Sequence, residues 1–283
     1  MEKNVINLDF HQTFKPERTC LSSLLTEIPE CSGKTPQEIS KVTGIPTGAR
    51  SGKVVPSILY MNYMGLLSYK ADGQKYTLSY TDLGSCVVNE DPGLTEDLTI
   101  LLLHCMITRK HAGASLWHFV ISDLMPKYHN EISKVHFEKE VELNYGKKVN
   151  ISPFNGAYSG LFEQINILKA QNDGYKLKPH LYNADFIYLY SYILYESWED
   201  WIAGLSDSER ESKKVSDSEI TAIYLEETGF RLPFGWTDKE EYQVLEAMHD
   251  KGIISLNRQM TPFSIRRLLS KKEIIGLLYS ELC

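Results

Sequence analysis

Three polar residues near the N-terminus carry side chains that could act on a phosphate group. His11, Glu17 and Arg18 lie close together in the sequence. A histidine or a carboxylate can serve as a general base, and a guanidinium can stabilise the charge of a phosphate. The same residue types also cap and orient helices, and that structural role is the alternative. The three residues are therefore candidate catalytic residues on type and proximity.

A second set of polar residues lies at the predicted start of a helix. Pro56 lacks an N–H group and fits only a first turn, so this helix should begin near Lys53. Arg50 and Ser51 then stand just before its N-terminus, where free N–H groups and the helix dipole favour a phosphate. Thr47 lies in the turn that leads into it. We expect these polar residues to contact the phosphates of a nucleic acid.

The predicted elements around this set follow the order helix, turn, helix, hairpin. Thr35-Pro36-Gln37-Glu38 is close to a capping box and starts the first helix, which ends at Gly44. The second helix ends at Gly65, and two short alternating strands follow it, joined by Asp72-Gly73. Asp-Gly between such strands is a strong hairpin signal. The order predicts a winged helix-turn-helix over residues 35–88.

The charge of this segment differs from that of the rest of the chain. Between Lys34 and Tyr80 there are six basic and two acidic residues, a local net charge of +4, whereas the whole chain carries −7. A basic island in an acidic protein is a candidate phosphate-facing surface. It includes Lys70 and Lys75 on the predicted hairpin, which we expect to bind DNA. The alternative is a winged helix that contacts other proteins through the same surface.

A second basic stretch lies near the C-terminus. The segment 251–272 contains no acidic residue and carries Arg258, Arg266 and Arg267. We expect these three arginines to form a second nucleic-acid face. Ordinary surface charge is the alternative explanation.

Two further patterns favour structural roles. The segment Tyr182 to Trp201 contains eight aromatic residues, which could stack on the bases of a single strand. Their helical spacing instead favours a buried helix. Glu138, Glu140 and Glu142 could hold a divalent metal, but a solvated helix face is the favoured interpretation.

Size and composition describe an ordinary soluble protein. The chain has 283 residues, 42% hydrophobic and 24% charged, enough for two or three small domains. The segments 98–107 and 186–195 are the longest apolar ones and are too short to span a bilayer. Five cysteines occur without a Cys-x-x-Cys pair, which fits a reducing compartment and argues against a zinc knuckle. We expect a cytoplasmic protein.

We predict a mainly α fold with short β-hairpins, in which winged helix-turn-helix modules flank a helical core. A helix that leads into an apolar strand and a hairpin recurs near residues 65–78, 166–177 and 242–265. The polar, charged stretch 206–218 predicts a linker. The predicted domains are an N-terminal winged-helix domain (1–92), a central helical domain with a winged-helix-like segment (93–205) and a C-terminal winged-helix-like module (206–283).

Several fragments, taken in order, resemble one known family. They are His11-Gln12-Thr13-Phe14 with Arg18, Leu103-His104, Ala114-Ser115-Leu116-Trp117-His118-Phe119, Ser152-Pro153-Phe154, Tyr175-Lys176-Leu177 and Tyr190-Ser191-Tyr192-Ile193-Leu194 with Trp198. Over residues 9–200 the chain resembles domain-of-unknown-function family four-thousand-seven, whose SspB-like members occur beside DNA phosphorothioation genes. Gln12 departs from the family, whose members often have an acidic residue there. If that acid matters for catalysis, this chain binds DNA without cutting it.

The resemblance implies a bacterial protein that acts in DNA phosphorothioation and anti-phage defence. The implied activity is DNA binding with nicking, in which one strand is opened so that sulfur can replace a non-bridging phosphate oxygen. Nicking requires a nucleophile and a charge clamp, and Mg²⁺ is the implied cofactor. The implied partners are an ATPase and a sulfur-transfer subunit. The alternative is a non-catalytic winged-helix DNA-binding adaptor or transcriptional regulator.

Overall fold

The protein is described by a computed structural model that covers residues 7–48, 51–171, 173–213, 215–259 and 262–282. Within these ranges the chain is mainly α-helical, with three small antiparallel sheets. The chain divides into two compact units, Met1–Thr108 with Gly113–Lys178 and Arg109–Ala112 with Pro179–Cys283. The predicted boundaries at residues 92 and 205 do not coincide with these units, and the three-domain division stays a prediction.

The first unit contains ten α-helices and five strands within its described residues. In chain order these elements are α1 (Arg18–Thr26), α2 (Ile28–Cys31), α3 (Pro36–Thr43), α4 (Val54–Tyr63), β1 (Leu67–Asp72), β2 (Lys75–Tyr80), α5 (Asp82–Glu90), α6 (Asp97–Ile107), α7 (Ser115–His118), a π-helical segment (Phe119–Leu124), α8 (Met125–Lys127), β3 (Glu131–Ser133), α9 (Lys134–Tyr145), α10 (Ser152–Tyr158), β4 (Leu168–Gln171) and β5 (Gly174–Leu177).

The second unit is built around one long helix. Its elements are a 3₁₀ turn (Ala184–Phe186), α11 (Ile187–Gly204), α12 (Asp207–Lys213), β6 (Glu219–Thr221), α13 (Ala222–Thr228), a 3₁₀ turn (Leu232–Phe234), α14 (Asp238–Asp250), β7 (Ile254–Asn257), β8 (Ser264–Arg267) and α15 (Lys271–Leu277).

One topology recurs three times along the chain. It consists of a leading strand, two helices and a hairpin whose last strand pairs antiparallel with the leading strand. In module 1, residues 34–80, the leading strand is a single bridge from Lys34 to Tyr76. In module 2, residues 131–177, β3 pairs with β5, and in module 3, residues 219–267, β6 pairs with β8. The predicted hairpins are therefore present at all three places.

Local signals in the sequence explain the position of α3. The Thr35 side chain accepts a hydrogen bond from the Glu38 N–H, and the Glu38 carboxylate accepts one from the Thr35 N–H at 2.9 Å. Gly44 ends the helix with a φ of 73°, which glycine adopts without a steric penalty. The predicted capping box is confirmed.

Helix α4 is a core element of module 1. It begins at Val54, after Lys53 at the N-cap position, as predicted. Ile58 and Met61 are fully buried, and none of the ten residues of the helix is charged. The helix therefore stabilises the module through apolar burial and leaves little of its own surface for a ligand.

The aromatic-rich segment forms the centre of the second unit. Tyr190, Tyr195 and Trp198 on α11 are fully buried, which confirms the buried-helix interpretation over a stacking platform. Among the described helices, α11 included, none combines the length and apolar character that a membrane span requires.

The stretch predicted as a linker contains a helix, so this prediction is wrong in part. Ser206 and Glu209 form reciprocal hydrogen bonds at the start of α12, with the Ser206 N–H donating to the Glu209 carboxylate at 2.8 Å. Lys213 pairs with Glu227 at 2.8 Å and lies 4.7 Å from the ring centroid of Tyr224. The capping pair and these tertiary contacts stabilise a helix in a polar segment.

Candidate nucleic-acid interface

The loop that precedes α4 is closed at its base. Thr47 and Gly52 form an antiparallel bridge, and the Gly48 N–H donates to the Ser51 carbonyl at 2.8 Å. A Cβ atom at Gly52 would lie 1.9 Å from the Thr47 hydroxyl, so the loop requires glycine there. Ser51 is exposed and Thr47 is half-buried. Arg50, the strongest phosphate-binding candidate of this loop, lies outside the described residues.

Lys53 stands at the N-cap of α4, but its ammonium group is already paired. Its Nζ lies 2.8 Å from both carboxylate oxygens of Glu17. The hydrogen bond between them lowers the pKa of Glu17 and raises the pKa of Lys53. A carboxylate held ionised in this way is a weak general base, and the pair presents little net charge to a phosphate.

The hairpin of module 1 has one fully polar face. Lys70 lies opposite Thr77 in the register and Asp72 lies opposite Lys75, while the side chains of Ser68 and Ser79 hydrogen-bond at 2.9 Å. All six side chains are exposed. Because side chains alternate between the faces of a strand, these six share one face of the hairpin. The hairpin thus presents the two predicted lysines together on a solvated surface.

The candidate catalytic histidine is a core residue. His11 is fully buried, and its Nδ1 donates to the Gln12 carbonyl at 2.9 Å. Its ring packs edge-on against Phe10 and Trp117, with centroids 5.2 and 6.4 Å away. Burial lowers the pKa of His11, which favours the neutral ring. His11 thus packs in the core of the first unit, and a catalytic role for it stays a prediction.

Arg18 is held by a residue that sequence reasoning did not select. Its guanidinium donates to the Gln164 side-chain oxygen, and the Gln164 amide donates to the Thr95 carbonyl at 3.0 Å and to Asp97 at 2.8 Å. Arg18 and Gln164 are 146 positions apart, and no local pattern links them. His11, Glu17 and Arg18 are thus engaged with different partners, and they form no hydrogen-bonded triad within the described residues.

The basic stretch of module 3 carries one arginine that is paired at the surface and one that is exposed. Arg258 is half-exposed and pairs with Glu246 at 2.7 Å. Arg266 is exposed on β8, where it lies opposite Glu219 and Ser255 in the sheet register. Each arginine therefore lies near a carboxylate or a polar partner in its own module, and their DNA contacts stay predictions.

Arg267 is engaged inside the second unit. Its guanidinium lies 2.8 Å from Glu199 and 4.2 and 4.4 Å from the ring centroids of Tyr195 and Trp198. Lys271 adds a second cation on Glu199 at 2.5 Å. Such a desolvated cation–π arrangement stabilises the packing of β8 on α11. Only 14% of the Arg267 side chain is exposed, which leaves little of it to meet a nucleic acid.

The described residues do not offer a preformed metal site. No group of three or more His, Cys, Asp or Glu side chains among them could hold a metal ion. Glu140 accepts hydrogen bonds from Lys127 at 2.8 Å and from the Tyr128 hydroxyl at 2.6 Å, while Glu138 and Glu142 are exposed. These contacts support the solvated-face interpretation of the three glutamates.

Comparison with known proteins shows a likeness at the level of the fold. No family model and no curated protein matches the sequence. Among solved structures, a crystal structure of magnesium ion-bound SspB aligns over 96% of this chain and 86% of its own, with a TM-score of 0.66 and 11% identity. The chain has an SspB-like fold. A second SspB crystal structure aligns over the same shares, with a TM-score of 0.64 and 12% identity.

The SspB-like fold is established for the described residues, whereas the family assignment stays a prediction. At 11% identity the likeness carries the architecture and no individual site residue.

Proposed function

We propose that this chain is a DNA-binding component of a bacterial DNA phosphorothioation and anti-phage defence system. The observation that carries the proposal is the SspB-like fold, which extends over 96% of the chain. The ordered fragments within residues 9–200 that resemble domain-of-unknown-function family four-thousand-seven support the same context. The basic island of module 1 supplies the positive charge that binding to a phosphate backbone requires.

We interpret the three modules as winged helices, and module 1 as the DNA-contacting one. In helix-turn-helix proteins the second helix reads base edges in the major groove. Here α4 is mostly buried and carries no charge, so it is unsuited to that role. The exposed groups are those of the loop before α4 and the polar face of the hairpin. Contact therefore falls on phosphates, and we expect binding to depend weakly on DNA sequence.

The double variant Lys70→Ala with Lys75→Ala tests this assignment. We expect its affinity for duplex DNA to fall and the negative slope of log K against log salt to become shallower by about 1.8. Each lost phosphate contact removes about 0.9 from the slope, because fewer counterions are released. Fluorescence anisotropy at several salt concentrations measures both quantities.

A matched control removes the same charge elsewhere. Lys139→Ala with Lys239→Ala changes two exposed helix residues outside the hairpin, and the slope should stay that of the unmodified protein. An equal loss in both double variants would contradict the placement on the hairpin. A wild-type chain without salt-sensitive DNA binding would contradict the proposed function itself.

Strand nicking is a second candidate activity, favoured by the SspB crystal structure that holds a magnesium ion. Among the described residues, no group of three or more His, Cys, Asp or Glu side chains could hold such an ion. In this chain Glu17 is also paired with Lys53. A nicking reaction that uses the described residues would therefore rely on groups other than a preassembled cluster of three carboxylates.

Supercoiled plasmid incubated with the full chain and Mg²⁺ separates the two functions. Open circles that disappear when EDTA is added would support the nickase. A salt-sensitive gel shift with the plasmid still supercoiled would support a non-catalytic adaptor. A parallel incubation with Gln12→Glu asks whether the acid found in the family restores cutting in a chain that only binds.

The proposed context also names partners and a compartment. A phosphorothioation system needs an ATPase and a sulfur-transfer subunit, and we propose that this chain acts with both in the cytoplasm. Co-purification of the tagged chain with those subunits tests this proposal. A yield that falls after DNase treatment would indicate association through DNA, and an unchanged yield would indicate direct association.

A further inference from the structure

A cleft of about 550 Å³ opens at the N-terminus of α1. One wall is Lys15–Thr19, and the other is formed by residues of the segment 160–164, which follows α10. We call it the Lys15 cleft. Pockets of about 300–1,000 Å³ accommodate small ligands, so a single nucleotide fits this volume.

The lining of the Lys15 cleft favours an anion. Lys15 is exposed and Arg18 is partly buried, and both side chains border the cleft. The first turn of α1 adds N–H groups without intrahelical partners and the positive end of the helix dipole. The Glu17 carboxylate does not cap this helix, because it is turned to Lys53. Glu163, which is exposed, is the remaining carboxylate of the lining.

A residue of the opposite wall of the cleft, Gln164, holds the position of Arg18. Gln164 accepts from its guanidinium and is itself anchored on the Thr95 carbonyl and the Asp97 carboxylate. The Arg18 Nε is buried and has no hydrogen-bond partner among the described residues. An unpartnered buried donor is costly, but this atom is covered by protein, so a ligand in the cleft would meet the terminal N–H groups of Arg18 and not its Nε.

The stem of Lys15 is fixed by close packing on two glycines. A Cβ atom at Gly156 would lie 2.8 Å from the Lys15 Cβ and 2.9 Å from its Cδ. A Cβ atom at Gly160 would lie 3.7 Å from the Lys15 Nζ. The bare backbone at these positions lets the lysine side chain lie flat along the wall, with its ammonium group held at the cleft.

We propose that the Lys15 cleft binds a phosphate monoester, either the terminal phosphate of a DNA strand or a free mononucleotide. Lys15, Arg18 and the helix dipole supply about two and a half positive charges, and the exposed Glu163 carboxylate offsets one of them. The remaining positive field attracts a dianionic monoester more strongly than the singly charged diester of a continuous strand. The strand-end source rests on the proposed function, whereas the mononucleotide source does not.

Binding of the full chain to labelled single-stranded oligonucleotides tests the proposal. We expect at least about tenfold tighter binding when the strand carries a terminal phosphate, at the 5′ or the 3′ end, because charge-assisted hydrogen bonds are strong. Deoxyadenosine monophosphate should compete for the cleft and deoxyadenosine should not. Lys15→Met keeps an unbranched apolar stem against Gly156 and removes the charge, so it should abolish the preference.

Lys139→Met is the matched control, because it removes an exposed lysine far along the chain from the cleft wall, and it should keep the preference. The proposal is overturned if neither terminal phosphate nor deoxyadenosine monophosphate is preferred, or if Lys15→Met leaves the preference intact. Much tighter binding of the phosphorylated strand than of the mononucleotide identifies a strand end as the ligand. Equal affinities identify the mononucleotide.

The outcomes also separate this proposal from the proposed function. A preference for terminal phosphate without duplex binding would support the proposed ligand of the cleft and contradict the DNA-binding function. Duplex binding that depends on Lys70 and Lys75, without a preference for terminal phosphate, would support the DNA-binding function and contradict the proposed ligand.

Discussion

Glu241 is a buried carboxyl group that makes the second unit sensitive to pH. Only 12% of its side chain is exposed, and its Oε1 has no hydrogen-bond partner among the described residues. Burial raises the pKa of Glu241 to about 7, and the positive charge of Arg231, 3.9 Å away, only partly opposes this. Asp238 and Glu226 raise the pKa further. The folded protein therefore binds a proton that the unfolded chain releases more readily.

The sign of the pH effect follows from that difference. The stability contribution of protonated Glu241 is fully present below about pH 4.5 and is lost as the pH rises through about 7. The loss is at most about 3 kcal/mol, at 1.36 kcal/mol for each pH unit. Glu241→Gln keeps the shape and removes the titration. We expect its free energy of unfolding, relative to wild type, to be higher at pH 8 than at pH 5.

Urea unfolding at the two pH values measures this effect. Glu211→Gln is the control, since it changes an exposed glutamate of α12 and should give the same difference from wild type at both values. If Glu241→Gln behaved like this control, Glu241 would be ionised in the folded protein and the assignment would fail.

Individual residues were predictable only where their roles are local. The alternation of β1 and β2 correctly predicts that Lys70 and Lys75 are exposed on the hairpin. The pairing of Lys53 with Glu17 joins residues 36 positions apart, and no local signal identifies it. The same holds for the contact of Arg267 with Glu199 across 68 positions. Charge in the sequence shows which residues are cations, and only the tertiary structure shows which ones remain available.

Secondary-structure elements were predictable where a cap or a turn sets the backbone. Thr35 with Glu38 and Asp72-Gly73 place α3 and the first hairpin correctly, because these signals act over three or four residues. Pro29 shows the limit of such reasoning. A proline often marks the end of a helix, but Pro29 stands in the first turn of α2, a position that accepts a missing N–H.

The repeated module shows which contacts a sequence pattern predicts and which it does not. The second hairpin follows from the turn that precedes Gly174, whereas Gly252 marks the end of α14 and the approach to β7, the first strand of the third hairpin. The pairing of each leading strand with the last strand of the hairpin joins β3 to β5 and β6 to β8 across about forty residues. This pairing depends on burial of the two helices that lie between the paired strands in the sequence. A leading strand of three residues is too short for its own residue pattern to predict its partner strand.

The whole molecule consists of two units, each with a buried core of its own. Gly84 illustrates how tightly the first unit is packed. It lies in the first turn of α5, where a Cβ atom would stand 1.8 Å from the Leu66 carbonyl oxygen. Gly276 on α15 of the second unit has no atom within 4 Å of the same position. Alanine at these two helical positions should therefore have opposite effects on stability.

Gly84→Ala should destabilise the first unit by about 1–3 kcal/mol, because the contact is with backbone and must be relieved by moving α5. Gly276→Ala should stabilise the second unit by about 0.5–1 kcal/mol, because alanine costs less conformational entropy in a helix. Hydrogen exchange read by mass spectrometry assigns each change to its unit. Since local opening depends on the core that encloses each amide, exchange should rise in residues 51–108 for Gly84→Ala and fall in residues 262–282 for Gly276→Ala. A uniform change over the chain in both variants would show that the two units open as one.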